Sequence, residues 1–172
     1  MRAVGVVLAV AVALALQTTL SRFVVRSTVA VDLVLVVVVY VALTGGPANG
    51  LLTGAFAGLV QDSLSTGVTG VIGIGGLAKT IVGFLAGIIG SQFIVAQPLP
   101  RFVVFFGATV LHSLVFNGLY ELLALRHFGT PYAAVAGQAA ANALVGVVAF
   151  QLVELLPGAM ERRKTQRTRL RR

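Results

Sequence analysis

Six stretches of mostly apolar residues, each close to the length of a membrane span, occupy most of this 172-residue chain. Every break between them carries Gly, Pro or polar residues, and the stretches run over residues 3–20, 29–44, 48–65, 71–94, 101–124 and 133–156. A span needs about 20 apolar residues, and in hydrocarbon only helices and closed barrels satisfy their backbone hydrogen bonds. The pattern therefore predicts an all-α integral membrane protein with six transmembrane helices. For the first stretch, which follows Arg2, a cleaved signal peptide is the alternative.

The composition agrees with a membrane protein and argues against an enzyme. Hydrophobic residues make up 58% of the chain and charged residues 10%, whereas about 25% of a soluble domain is charged. Cysteine is absent and there are two histidines, which leaves little for a disulfide framework or a metal site. The sequence contains no G-x-S-x-G, phosphate-loop or H-E-x-x-H motif. We therefore expect neither catalysis nor a cofactor.

The basic residues of the chain are concentrated at its C-terminal end. We divide the chain into one transmembrane domain over residues 1–160 and a basic tail over 161–172. Because Lys and Arg of short loops stay in the cytoplasm, the tail favours a topology with both termini cytoplasmic. Such a tail binds anionic lipids or docks an acidic partner, and both alternatives stay open. Its basic residues are Arg162, Arg163, Lys164, Arg167, Arg169, Arg171 and Arg172.

Several polar residues within the predicted spans lie at a similar depth in this topology, in the outer half of the membrane. A charge near the bilayer centre costs about 2.5 to 3.5 kcal/mol and normally faces a partner inside the bundle. Lys79 most needs such a partner, and the sequence leaves Asp62 and Glu121 as its candidates. We expect a structural ion pair ahead of a ligand site. The candidate buried polar or partner site comprises Asp32, Asp62, Lys79, Glu121, Asn117 and Asn142.

Small residues recur at helical spacing on the third and fourth predicted helices. They allow two helix backbones to approach closely, which drives association where lipid gives no hydrophobic incentive. We expect packing within the chain, with a partner helix as the alternative. The predicted packing residues are Gly50, Gly54, Gly58, Gly76, Gly83 and Gly87.

The fifth and sixth predicted helices carry polar stripes instead. On the fifth helix His112 is rotated about 100° around the helix axis from Ser113 and so lies off the stripe. We expect this histidine to be a packing residue rather than a ligand. Hydrogen bonding between helices is the expected role of both stripes. Their members are Thr109, Ser113, Asn117, Tyr120 and Glu121 on the fifth helix, and Gln138, Asn142 and Gly146 on the sixth.

Two segments resemble a known family of membrane proteins. The first is "VDLVLVVVVYVAL" over residues 31–43, which opens a helix with an acidic residue, and the second is "GLLTGAFAGLVQDSLSTG" over 50–67, a glycine-spaced helix ending in Gln-Asp. With the chain length, the six spans and a glycine-rich fourth helix, the sequence resembles the bacterial rod shape-determining protein MreD family. Many members have Pro before the first Asp, where this chain has Val31.

The resemblance implies a function as well as a fold. It implies a non-enzymatic scaffold in the bacterial inner membrane, multi-pass, that serves the cell-elongation machinery of lateral peptidoglycan synthesis. The implied partners are MreC, then MreB, RodA and the penicillin-binding partner of RodA, with no nucleic acid. A fold similar to the substrate-binding subunits of energy-coupling-factor transporters is also implied. The alternative function is therefore a subunit that binds a vitamin or another small molecule for transport, although the chain has no Trp and three Tyr.

Overall fold

The computed structural model describes residues 3–23, 31–64, 72–93, 97–123 and 132–155, without the side chains of residues 20–23. These residues form six helices. In chain order they are α1 (Ala3–Phe23), α2 (Leu33–Gly45), α3 (Pro47–Leu64), α4 (Ile74–Gln92), α5 (Pro98–Leu122) and α6 (Tyr132–Leu155). Each helix coincides with one predicted apolar stretch, and the described part of the chain contains no strand, so the all-α prediction is confirmed there.

Local sequence signals set the bounds of α2 and the start of α3. Asp32 caps α2, since its side chain accepts a hydrogen bond from the backbone N–H of Leu35. Gly46 has a φ of +85°, a left-handed conformation that favours glycine, and it is the single residue between α2 and α3. Pro47 then occupies the first position of α3, where its missing N–H costs no helical hydrogen bond.

Helix α2 lies in the centre of the bundle. Seven of its 13 residues are buried, as expected of a helix that is apolar on all sides. One core cluster joins α2 to α4, α5 and α6 through side chains such as Leu35, Val82 and Phe105. A second cluster joins it to α1 and α3 through Val10, Val34 and Ala57.

Helix α1 and the outer faces of α5 and α6 leave large apolar side chains exposed. Val4, Leu8, Val103, Leu114 and Leu144 are each 60% exposed or more. Large apolar side chains exposed in such number suit a surface that meets lipid or another protein.

Three helices, α4, α5 and α6, are long and apolar enough to cross a membrane. At 1.5 Å per residue α5 and α6 are about 36 to 38 Å long, which exceeds the roughly 30 Å hydrocarbon core. Helices α1 and α2 contain shorter apolar segments. The chain is therefore a membrane protein, and the number of spans beyond these three stays a prediction.

Candidate functional site

A buried ion pair between α2 and α4 is the centre of the polar interior. Lys79 Nζ lies 2.7 Å from Asp32 Oδ2, and the two side chains are 4% and 8% exposed. The same ammonium lies 3.1 Å from Nε2 of His112 on α5. Neither Asp62 nor Glu121, the two partners predicted for Lys79, holds it. The prediction was wrong because α2 and α4 run side by side in the same direction, so both begin at the same end of the bundle.

A chain of hydrogen bonds ties this pair to α6. The backbone N–H of Asp32 donates to Oδ1 of Asn142 at 2.9 Å, and Nδ2 of Asn142 donates to the Thr109 hydroxyl at 3.2 Å. That hydroxyl donates to the Phe105 carbonyl at 2.9 Å. Asn142 and Thr109 are 1% and 2% exposed, so every bond is shielded from solvent. The network connects α2, α4, α5 and α6.

Asp62, near the end of α3, caps the following helix instead of pairing with Lys79. Its Oδ2 accepts hydrogen bonds from the backbone N–H groups of Gly73 at 2.8 Å and Gly76 at 3.1 Å. These N–H groups belong to the first turn of α4, which otherwise lacks acceptors. Gly73 is the N-cap residue of α4 and has a φ of +111°. As a glycine it has no side chain that could cap the helix. A carboxylate there also interacts favourably with the helix dipole.

Replacing Asp62 separates its capping role from its charge. Asp62→Ala removes the acceptor for two N–H groups, and we expect the free energy of unfolding to fall by about 1 to 2 kcal/mol. Asp62→Asn keeps an oxygen acceptor, so it should retain more than half of that stabilisation. The measurement is thermal unfolding of the detergent-purified protein. Equal losses in the two variants would contradict a capping role.

The polar stripe predicted for α5 faces the interior along one edge only. Thr109 and Tyr120 at its inner edge are 2% exposed, whereas Asn117 is half-buried and Glu121 is exposed. The inner face is centred on His112, and Glu121, nine residues later, lies about 180° away at 100° per residue. Glu121 is thus on the outer side of the helix and does not join the buried cluster.

The glycine seam, defined as the close contact between α3 and α4, contains all six predicted packing residues. A Cβ on Gly50 would lie against the backbone of Gly83, one on Gly54 against the carbonyl of Lys79, and one on Gly58 against Gly76. At the far end a Cβ on Gly87 would lie against Pro47. The two helices are antiparallel along this seam, and backbone meets backbone over its whole length. These glycines therefore pack two helices of the same chain against each other.

A second charge pair, which the sequence analysis missed, joins a buried arginine to a half-buried glutamate at the opposite end of the bundle. Arg101 on α5 donates to both carboxylate oxygens of Glu154 on α6, at 3.0 and 2.8 Å. Its guanidinium stands 4.1 Å over the Phe150 ring, and Tyr40 meets that ring edge-on. Arg101 is 2% exposed. The sequence did carry a signal for this pair, because the start of α5 and the end of α6 lie at the same end of a bundle of antiparallel consecutive helices.

A small cavity opens beside the Lys79–Asp32 pair. Its volume is about 160 Å³, and its lining consists of Asp32, Gln61, Asp62, Gly75, Lys79, His112 and Phe116. Gln61 Oε1 is buried there and has no hydrogen-bond partner among the described residues. Within the described ranges no group of three His, Cys, Asp or Glu residues could hold a metal ion. The basic residues of the predicted tail lie outside the described residues.

The chain matches the model of a known protein family. The family model described as "rod shape-determining protein MreD" matches residues 1–157. Searches of curated proteins and of solved structures found no match. The similarity of fold to energy-coupling-factor subunits therefore stays a prediction.

Proposed function

The chain belongs to the rod shape-determining protein MreD family, and from this premise we propose that it is a non-enzymatic scaffold of the lateral peptidoglycan synthesis machinery. Family membership gives it a role in determining rod shape. The proposal adds that it binds MreC and, with it, MreB, RodA and the penicillin-binding partner of RodA. The match over residues 1–157 is the observation that carries this proposal.

We further propose that the protein lies in the bacterial inner membrane with six spans and both termini in the cytoplasm. The end of the bundle at which α2 and α4 begin then faces outward. The Arg101–Glu154 pair lies near the cytoplasmic end, beside the proposed basic tail over residues 161–172. The tail would bind anionic lipids or an acidic cytoplasmic partner.

The distribution of exposed and buried surface supports a scaffold. Asp32 and Lys79, near the starts of α2 and α4, form an ion pair, and Lys79 also contacts His112. The glycine seam is filled by the backbones of α3 and α4. Among the described residues, large apolar side chains stay exposed on α1, α3, α4, α5 and α6. Such surface suits contact with other membrane helices.

The alternative, a binding subunit for a vitamin, is less well supported. Pockets for ligands of that size typically have about 300 to 1,000 Å³ and an apolar, aromatic lining. The cavity beside Lys79 has about 160 Å³, and five of the seven residues that line it, all except Gly75 and Phe116, are polar or charged. It is too small for a vitamin, although it has room for a smaller polar group.

Depletion of the protein in a rod-shaped bacterium that carries this chain as its single copy tests the proposal. We expect the cells to round as the protein is diluted, and MreC to co-purify with it from detergent-solubilised membranes. A single-span protein unrelated to cell shape is the control for co-purification. Cells that keep their rod shape but lose uptake of one vitamin would refute the scaffold and support the alternative.

A further inference from the structure

The cavity beside the Lys79–Asp32 pair has the size of a single small polar group. It lies where the first turns of α2 and α4 meet the last turns of α3 and α5, and its volume is about 160 Å³. Since one water occupies about 30 Å³ of liquid, the cavity has room for about five waters or for one planar guanidinium group with its attached methylene.

The charges that line the cavity do not balance. Asp32 and Asp62 supply two carboxylates, Lys79 supplies one ammonium, and with His112 neutral the formal sum is −1. Lys79 already has two partners, Asp32 Oδ2 and the imidazole of His112. The remaining charge belongs to Asp62, which receives two backbone N–H groups but no cation among the described residues. A positive group in the cavity would neutralise it.

The hydrogen-bonding capacity of the lining points the same way. Gln61 Oε1 is buried, lacks a donor among the described residues and lies in the cavity wall. A buried acceptor without a donor is destabilising, so the cavity favours an occupant that donates N–H or O–H. The Phe116 ring forms another part of the wall, and an aromatic ring attracts a cation. Negative charge, a free acceptor and a ring together select a cationic donor.

We propose that this cavity binds a guanidinium or ammonium group that carries N–H donors. Two sources share this chemistry: a basic side chain presented by a partner protein, and a free small organic cation. The first source rests on the proposed function, because it needs a partner at the end of the bundle where α2 and α4 begin. The site itself does not depend on that function.

Titration of the full-length protein in detergent with methylguanidinium, well below denaturing concentrations, tests the site. We expect a saturable rise in melting temperature. Methylurea, which has N–H donors but no charge, and tetramethylammonium, which has charge but no donors, should give none. Gln61→Leu should weaken the apparent affinity about tenfold or more, as expected for a lost hydrogen bond to a charged group. Ser63→Ala, at an exposed position next to Asp62 that does not line the cavity, should bind as wild type.

The outcomes separate the proposal from its alternatives. No saturable rise with the wild-type protein, an equal rise with methylurea, or an equal rise in Gln61→Leu would overturn the site. Should Gln61→Leu fail to fold, Gln61→Glu takes its place, and the added carboxylate should tighten binding.

Co-purification identifies the source of the cation. With the site established by titration, a lower recovery of MreC, the partner in the proposed function, with Gln61→Leu than with Ser63→Ala supports a basic side chain of that partner as the occupant. Equal recovery of that partner with both variants supports a free cation in the same site. Depletion that leaves cell shape unchanged would refute the proposed function, whereas the titration with methylguanidinium would still stand.

Discussion

Lys79→Met is expected to lower the free energy of unfolding by about 3 to 5 kcal/mol, because it leaves the carboxylate of Asp32 buried without a cation. Asp32 is within 2.7 Å of Lys79 Nζ, and no other lysine or arginine pairs with it in the described part of the chain. The melting temperature of the detergent-purified protein should fall by on the order of 10 °C. Thermal unfolding followed by circular dichroism is the measurement.

A double-mutant cycle is the control for this prediction. Asp32→Asn keeps an oxygen that can cap α2, yet it leaves Lys79 as an unpaired buried charge. Combining Asp32→Asn with Lys79→Met removes both charges, so the double variant should be more stable than the sum of the two single losses predicts. Strict additivity, or an unchanged melting point for Lys79→Met, would show that the two charges do not act as a pair.

Gly54→Ala is expected to lower the free energy of unfolding by about 3 kcal/mol or more, at the upper end of the cost of overpacking. The added methyl group would lie 2.6 Å from the carbonyl carbon of Lys79. Because the obstacle is backbone, no side chain can rotate out of the way, and α3 and α4 must separate. The measurements are the yield of monodisperse protein in detergent and its melting temperature.

Gly107→Ala is the matched control for the seam. Gly107 also lies in a helix, but a Cβ there meets nothing within 4 Å. Since alanine is favoured over glycine inside a helix by up to about 1 kcal/mol, this variant should be as stable as the wild type or more so. Equal losses from Gly54→Ala and Gly107→Ala would contradict a specific role for close packing between α3 and α4.

The helices were predictable from the sequence, whereas the partners of the charges were not. Apolar length is a local property, so the bounds of α3 and α6 lie within a few residues of the predicted ones. The pairing of Lys79 with Asp32 joins residues 47 positions apart and depends on which helices are neighbours. Nothing in a single sequence states that α2 and α4 lie side by side.

The sequence also did not show which face of each helix points into the bundle. On α5 the polar residues suggested an inner face that includes Glu121, but Glu121 is exposed. The inner face is centred on His112, and of the predicted stripe Thr109 and Tyr120 are buried. Within a membrane both lipid and protein interior are apolar, so hydrophobic periodicity does not distinguish the two sides of a helix. The spacing of the glycines was more informative, because only a close helix neighbour makes use of it.

The single-residue connection at Gly46 has a consequence for how the chain enters the membrane. Helix α2 has 13 residues, about 20 Å at 1.5 Å per residue, which is too short to cross the roughly 30 Å hydrocarbon core alone. Helix α3, with its glycines and Asp62, is not among the helices apolar enough to cross unaided. In the proposed six-span topology, we expect α2 and α3, joined through Gly46, to insert as one helical hairpin. We also expect α4 to complete that insertion, because it covers the glycines of α3 and its Lys79 neutralises Asp32.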